Sequence, residues 1–285
     1  MSEKRPIYHD TEHERQFESS YLNLEEAHAR AAEALAAAEV KPELFAGLYD
    51  DNVLRQDARV VERLEKVFES HGKMYADILE AIVCEHGELS DWFGPKSQVI
   101  KTARFDDYIN KIDMVIETED ETSGFSHLAL GVDVTFGSRD LHKKFDDIKA
   151  KIDDGSLGEV KYFHSDRQHF TGRKRMVPQV VIGVEIERVK ELGLLWMNRR
   201  NKELSMHSVQ TTILEEAALQ LETFAEYAER TGKTELVPVF RRELQKIREL
   251  LAEKKGAGIA AMKDDKVFAE IKRNLLSFQD TAATS

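Results

Sequence analysis

The segment from Phe105 to Phe136 constrains the fold more than any other part of the chain. It reads FDDYINKIDMVIE, then a short acidic break, then HLALGVDVTF. Both apolar halves suit buried β-strands, and each carries one aspartate where such a strand favours an apolar residue: Asp113 and Asp133. Side chains alternate across a strand, so Asp113, Val115 and Glu117 share one face, as do Gly131, Asp133 and Thr135. Paired as neighbours, the two segments bring both carboxylates to one point. Two like charges buried that closely need a cation between them. A hard divalent ion with oxygen ligands is the natural partner. The pattern predicts a metal centre, against the plainer reading of two strand-end acids that cap turns. Asp106 and Asp107, just upstream, stand between the same two roles.

Helices flank this segment. Leu22–Glu39 is rich in alanine and glutamate and strongly helix-forming, and Lys41-Pro42 ends it. Asn52–Glu85 reads as one long helix, with Val60, Leu64, Val67, Phe68, Tyr75, Ile78, Leu79 and Ile82 at helical spacing. Strands are expected over Gln98–Lys101, Asn110–Glu117 and His127–Phe136, the last two forming a hairpin. A helix follows over Ser138–Ile152, with Ser138 as N-cap. Further strands are expected at Glu159–His164 and Gln179–Glu185, joined by a basic loop, DRQHFTGRKRMVP. VPQVVIGV is apolar on both faces, as a central strand should be. From Glu187 onward the chain reads as helical, with amphipathic helices at Met206–Arg230, Leu236–Lys255 and Asp264–Phe278. This gives an N-terminal helical arm (1–51), an α/β core (52–200) and a C-terminal helical region (201–285).

That order, helix–strand–strand–strand–helix–strand, has one acid at the head of the second strand and another in the third. It resembles the PD-(D/E)XK nuclease-like superfamily over roughly residues 75–186. The resemblance implies a restriction-endonuclease-like mixed α/β sheet core with helical N- and C-terminal extensions. It also implies a Mg²⁺ (or Mn²⁺) site built from a helix glutamate, Asp113 and Asp133. The helix glutamate is Glu80 or Glu85 in DILEAIVCE, with Glu80 taken as ligand. The family lysine falls at Thr135, so the resemblance requires a lysine from the next helix: Lys143 or Lys144, with Lys144 the one assigned. The implied chemistry is metal-assisted hydrolysis of phosphodiester bonds in DNA or RNA, the lysine offsetting developing negative charge.

The net charge of −12 argues against a nucleic-acid partner until its distribution is considered. Lys96–Arg200 carries 18 basic and 18 acidic residues, while the flanks carry 23 and 35. A neutral core can therefore present basic surface. Arg167, Arg173, Lys174 and Arg175, with His169 and Phe170, form a loop that could grip phosphates and stack on bases, or simply a solvated loop. One cysteine, Cys84, excludes an intrachain disulfide. A polar N-terminus and the lack of a membrane-length apolar run predict a cytoplasmic protein with no membrane partner. The C-terminal helices are expected to pack internally or to make homo-oligomer contacts. Two other functions compete with a nuclease: a catalytically silent nucleic-acid-binding or assembly protein, and a helical scaffold whose α/β core is only structural. Thr135 favours the silent protein.

Overall fold

A computed structural model describes residues 21–66, 71–120, 124–133, 139–262 and 265–279, with only the backbone described at 71, 72, 133, 139 and 140. The chain forms helix α1 (Leu24–Ala38), α2 (Asp51–Glu65) and α3 (His71–Leu89), then β1 (Ser97–Lys101), a π-helical turn (Asp106–Asn110), β2 (Met114–Asp120) and β3 (Gly124–Asp133). After α4 (Arg139–Asp153) come β4 (Gly158–Ser165), β5 (Phe170–Val177) and β6 (Gln179–Gly183). Helices α5 (Ile186–Met197), α6 (Asn201–Ser205), α7 (Val209–Arg230), α8 (Val237–Gly256) and α9 (Lys266–Leu275) complete it. Side-chain caps start several helices: Asn23 Oδ1 accepts from the Glu26 amide, and Asp265 Oδ1 accepts from Val267 and Phe268.

β1, β2 and β3 form an antiparallel meander, and β6 adds to β3 in parallel after the crossover through α4, giving the sheet order β1-β2-β3-β6. The fold is therefore mixed α/β with a small mixed sheet. The register sets Ile100 against Val115, and Val115 against Ala129. Met114, Ile116, Leu128, Leu130 and Val132 face the large cluster that runs through Ile78, Ile82, Ile213, Leu221 and Phe224. Ile100, Val115 and Ala129 face the other way, into a smaller cluster with Phe45, Val160, Tyr162 and Phe163. The period-2 pattern thus assigns each residue to its layer.

Three sequence expectations change. The long helix expected over Asn52–Glu85 is two helices, α2 and α3, and the connecting residues 67–70 lie outside the described set. The basic loop is largely strand: Phe170–Val177 pairs antiparallel with β4, from Ser165↔Phe170 to Gly158↔Val177. Its outer residues are solvated, so the run RKR hides a strand inside a polar string. Finally, β6 lies at an edge of the sheet. It reads as central because α7 covers that edge: Gln220 Oε1 accepts from the Val181 amide at 2.8 Å, and Gln220 Nε2 donates to the Val181 carbonyl at 2.6 Å. A helical side chain thereby replaces the missing neighbour strand.

Candidate metal centre

Asp113 sits one residue before β2, where strand alternation no longer fixes its direction. Its backbone is held on both sides. The Asp113 amide donates to Leu130 O at 2.9 Å, and the Thr102 hydroxyl donates to Asp113 O at 3.1 Å. Its Oδ2 accepts the Val132 amide at 2.6 Å. Gly131 lies beside this contact: a Cβ there would crowd Lys111 O at 3.2 Å and only touch Asp113 Oδ2 at 3.9 Å. The Val132 carbonyl in turn accepts from Lys144 Nζ at 2.7 Å.

Glu80 belongs to the run of buried residues 78–83 on α3, packed over β1. It meets Asp113 and Asp107, and one oxygen from each of the three carboxylates lies within 4.8 Å of the others. Glu85 lies about 140° further round the helix. It accepts from Trp196 Nε1 at 2.7 Å, away from this cluster. Of the two glutamates left open by sequence, only Glu80 comes to Asp113.

Asp106 and Asp107 part company at the π-helical turn. Asp106 turns to the β4–β5 hairpin, where its carboxylate accepts the amides of Lys161 at 2.7 Å and Tyr162 at 2.9 Å, and Asn110 Nδ2 at 2.6 Å. Burial still outweighs these bonds and raises its pKa to about 6. Asp107 turns into the cleft and joins the cluster.

At the end of β1, Lys101 Nζ donates to Glu80 Oε2 at 3.0 Å and to Asp107 Oδ2 at 3.1 Å. Burial, then the charges of Asp107 and Glu80, push the Asp113 pKa well above the usual carboxylate range. Burial, opposed by Lys101, raises Glu80. For Asp107 burial works the same way, but the Lys101 ammonium and hydrogen bonds from Asp113 and Lys101 overcome it and lower its pKa. Burial disfavours the Lys101 ammonium, yet Glu80, Asp107 and Asp113 hold it protonated well above the ordinary lysine range. Sequence reasoning missed Lys101 because a lysine closing the strand SQVIK reads as an exit to solvent. The available signal was its place opposite Met114, beside Asp113.

The acids floor two adjoining cavities of about 340 and 350 Å³, which share Lys73, Asp77, Glu80, Asp107 and Tyr108 in their walls. Lys111, Lys143 and Lys144 line one side, and Lys101 and Arg104 the other. Both helix lysines named from sequence therefore border the cleft. The side chain of Asp133 lies outside the described residues, as does Thr135, so the convergence of Asp113 with Asp133 is not described. The Asp133 backbone ends β3, paired with Gly183.

The four basic residues expected to hold nucleic acid do not line this cleft. Arg173 and Arg175 pair with Glu159 at 3.2 and 2.9 Å. Arg167 Nη1 donates to Lys96 O at 3.0 Å, and Lys174 lies over the rings of Phe163 and Phe170. Glu117, on the hairpin face, accepts from Ser165 Oγ at 2.8 Å and from Gln168, and lies 3.3 Å from His127 Nε2. This network joins the hairpin to the sheet. A larger cavity of about 700 Å³ lies between the end of β2 and α8, with Lys246 paired to Asp120 in its wall; it contains none of the clustered acids. Among the described residues, no helix is long and apolar enough to cross a membrane. Compared with known proteins, the chain matches no family model, no curated protein and no solved structure.

Proposed function

We propose that the chain is a Mg²⁺- or Mn²⁺-dependent nuclease of the PD-(D/E)XK kind, hydrolysing phosphodiester bonds of DNA or RNA. The observation that carries this reading is the meeting of Glu80, Asp107 and Asp113 on the floor of a lysine-rimmed cleft. A core helix, a turn and the head of the second strand supply the three acids, as the resemblance requires for two of them. The donor set fits a hard cation, because every ligand it offers is a carboxylate oxygen. When bound, that cation supplies Lewis-acid activation of water and neutralises charge at the phosphate.

The chain's own residues do the positioning. The Val132 amide aims Asp113, and Lys101 holds Glu80 and Asp107 in place. Lys73, Lys111 and Lys143 attract the phosphate backbone to the rim. Tyr108, in both cavity walls, offers a ring for a base to stack on. Lys144, tethered to the Val132 carbonyl beside the acids, stands where positive charge can offset the charge that develops on phosphate.

One observation favours the silent reading, a nucleic-acid-binding or assembly protein that keeps the fold. Lys101 already pairs with two of the three acids, so the cluster has a partial counter-charge without any metal. The deciding experiment incubates purified protein with single- and double-stranded DNA and RNA, with Mg²⁺, with Mn²⁺ and with chelator. Metal-dependent cleavage that disappears in Asp113→Asn supports the nuclease. If none of the four substrates is cut, the silent reading replaces it, and a mobility-shift assay then tests nucleic-acid binding.

A further inference from the structure

Lys101 is bonded to two of the three carboxylates that a metal ion would draw on. Its ammonium is hydrogen-bonded to Glu80 Oε2 and Asp107 Oδ2, and both residues belong to the three-carboxylate cluster. The residue is only 6% exposed. A lysine is stable at such depth only when paired, because an isolated buried ammonium pays a large desolvation penalty. The pairing is reciprocal: the acids keep the lysine charged, and the lysine lets the acids crowd together.

A divalent ion among the same carboxylates would stand within a few ångströms of that ammonium, and the two cations repel. The lysine stem is long and flexible and its charge is a compact point, so it can swing without disturbing β1. The cavity on its own side, about 350 Å³, gives it somewhere to go, and Glu39 and Glu65 lie in its wall. Resting on the metal-dependent reading above, we propose that Lys101 is an exchangeable internal counter-ion, which leaves Glu80 and Asp107 when a divalent metal enters and turns into the adjoining cavity. Exchange makes a buried structural cation into a cavity-facing one. Metal loading and cation presentation then become one event.

Two measurements on the full chain test this. Calorimetry with Mn²⁺ at mildly alkaline pH compares wild type with Lys101→Met, which keeps most of the side chain's length and removes its charge. The variant should bind Mn²⁺ about tenfold more tightly or better, because a like charge no longer has to be moved. In the wild type, modification of Lys101 by an amine-selective reagent, read by peptide mass spectrometry, should rise several-fold when Mn²⁺ is added. This second measurement decides the matter even where the variant does not fold. Equal or weaker Mn²⁺ binding by a folded variant, or labelling indifferent to Mn²⁺, overturns the exchange alone and leaves the metal centre standing. Binding by the variant but not by the wild type means that the lysine never yields, which also overturns exchange. If neither protein binds Mn²⁺, the metal-centre reading falls and takes the exchange with it.

Discussion

Gln220 and Val181 are joined by two hydrogen bonds between one side-chain amide and both polar groups of one backbone residue. Both residues are fully buried, or nearly so. Gln220→Ala therefore strands a buried amide and a buried carbonyl, and each carries its own desolvation cost. The variant should lose about 2–4 kcal/mol of stability. Denaturant unfolding reads this directly, and a loss well under about 1 kcal/mol would mean that water reaches the β6 edge.

Glu216, one turn earlier on α7, should make stability depend on pH. Its Oε2 accepts the Gly183 amide at 3.0 Å, while Oε1 has no hydrogen-bond partner among the described residues. Burial pushes its pKa well above the usual 4.5, against the pull of the Gly183 bond. The folded state therefore keeps its proton to higher pH than the unfolded chain does. Its contribution is complete below the unfolded value and is lost as pH rises through the folded one. Glu216→Gln keeps the acceptor and does not titrate. Its stability relative to wild type should climb by about 1 kcal/mol or more between mildly acidic and mildly alkaline pH. A difference that stays flat across that range would contradict the buried-acid assignment.

Asp113→Asn tests the crowding of the acids. The asparagine oxygen can still accept the Val132 amide, while a carboxyl beside Asp107 and Glu80 is removed. Without metal the variant should be as stable as wild type or more so, by up to about 1 kcal/mol. Its Mn²⁺ affinity should fall at least about tenfold, since one of three oxygen ligands loses its charge. Equal affinity by calorimetry would remove Asp113 from the ligand set.

The two lysines of α4 should separate metal binding from chemistry. If the chain is the proposed nuclease, cleavage by Lys143→Ala/Lys144→Ala should drop by about 100-fold or more while Mn²⁺ affinity stays within a few-fold, because a cation that acts on the transition state is not a metal ligand. Undiminished phosphodiesterase activity in this double variant would place the compensating cation elsewhere, with Lys101 the nearest to the acids.

Much of this arrangement is legible in the sequence, for physical reasons that also mark where legibility stops. Asp113 and Glu80 stand out because each interrupts a strongly apolar run, and a buried charge needs an explanation. Asp107 could not be separated from Asp106, since the choice depends on a π-helical turn and on a hairpin more than fifty residues downstream. β5 was hidden because only Gly172 and Val177 of its eight residues are buried, with no period-2 alternation, and the reversal at His169, with φ of 49°, uses no glycine. β6 looked central because sequence reports burial and not the source of that burial. Here part of it comes from α7.

The π-helical turn has a mechanical consequence. Two adjacent carboxylates point to opposite destinations: Asp106 is tied to the amides of the β4–β5 hairpin, and Asp107 reaches into the acidic cluster. The hairpin, which resembles a peripheral ribbon, therefore acts as a splint for the cleft. Trimming it to make a smaller protein would free Asp106, slacken the turn and misdirect Asp107, even though no hairpin residue borders the acids. A chain of this design cannot shed the ribbon.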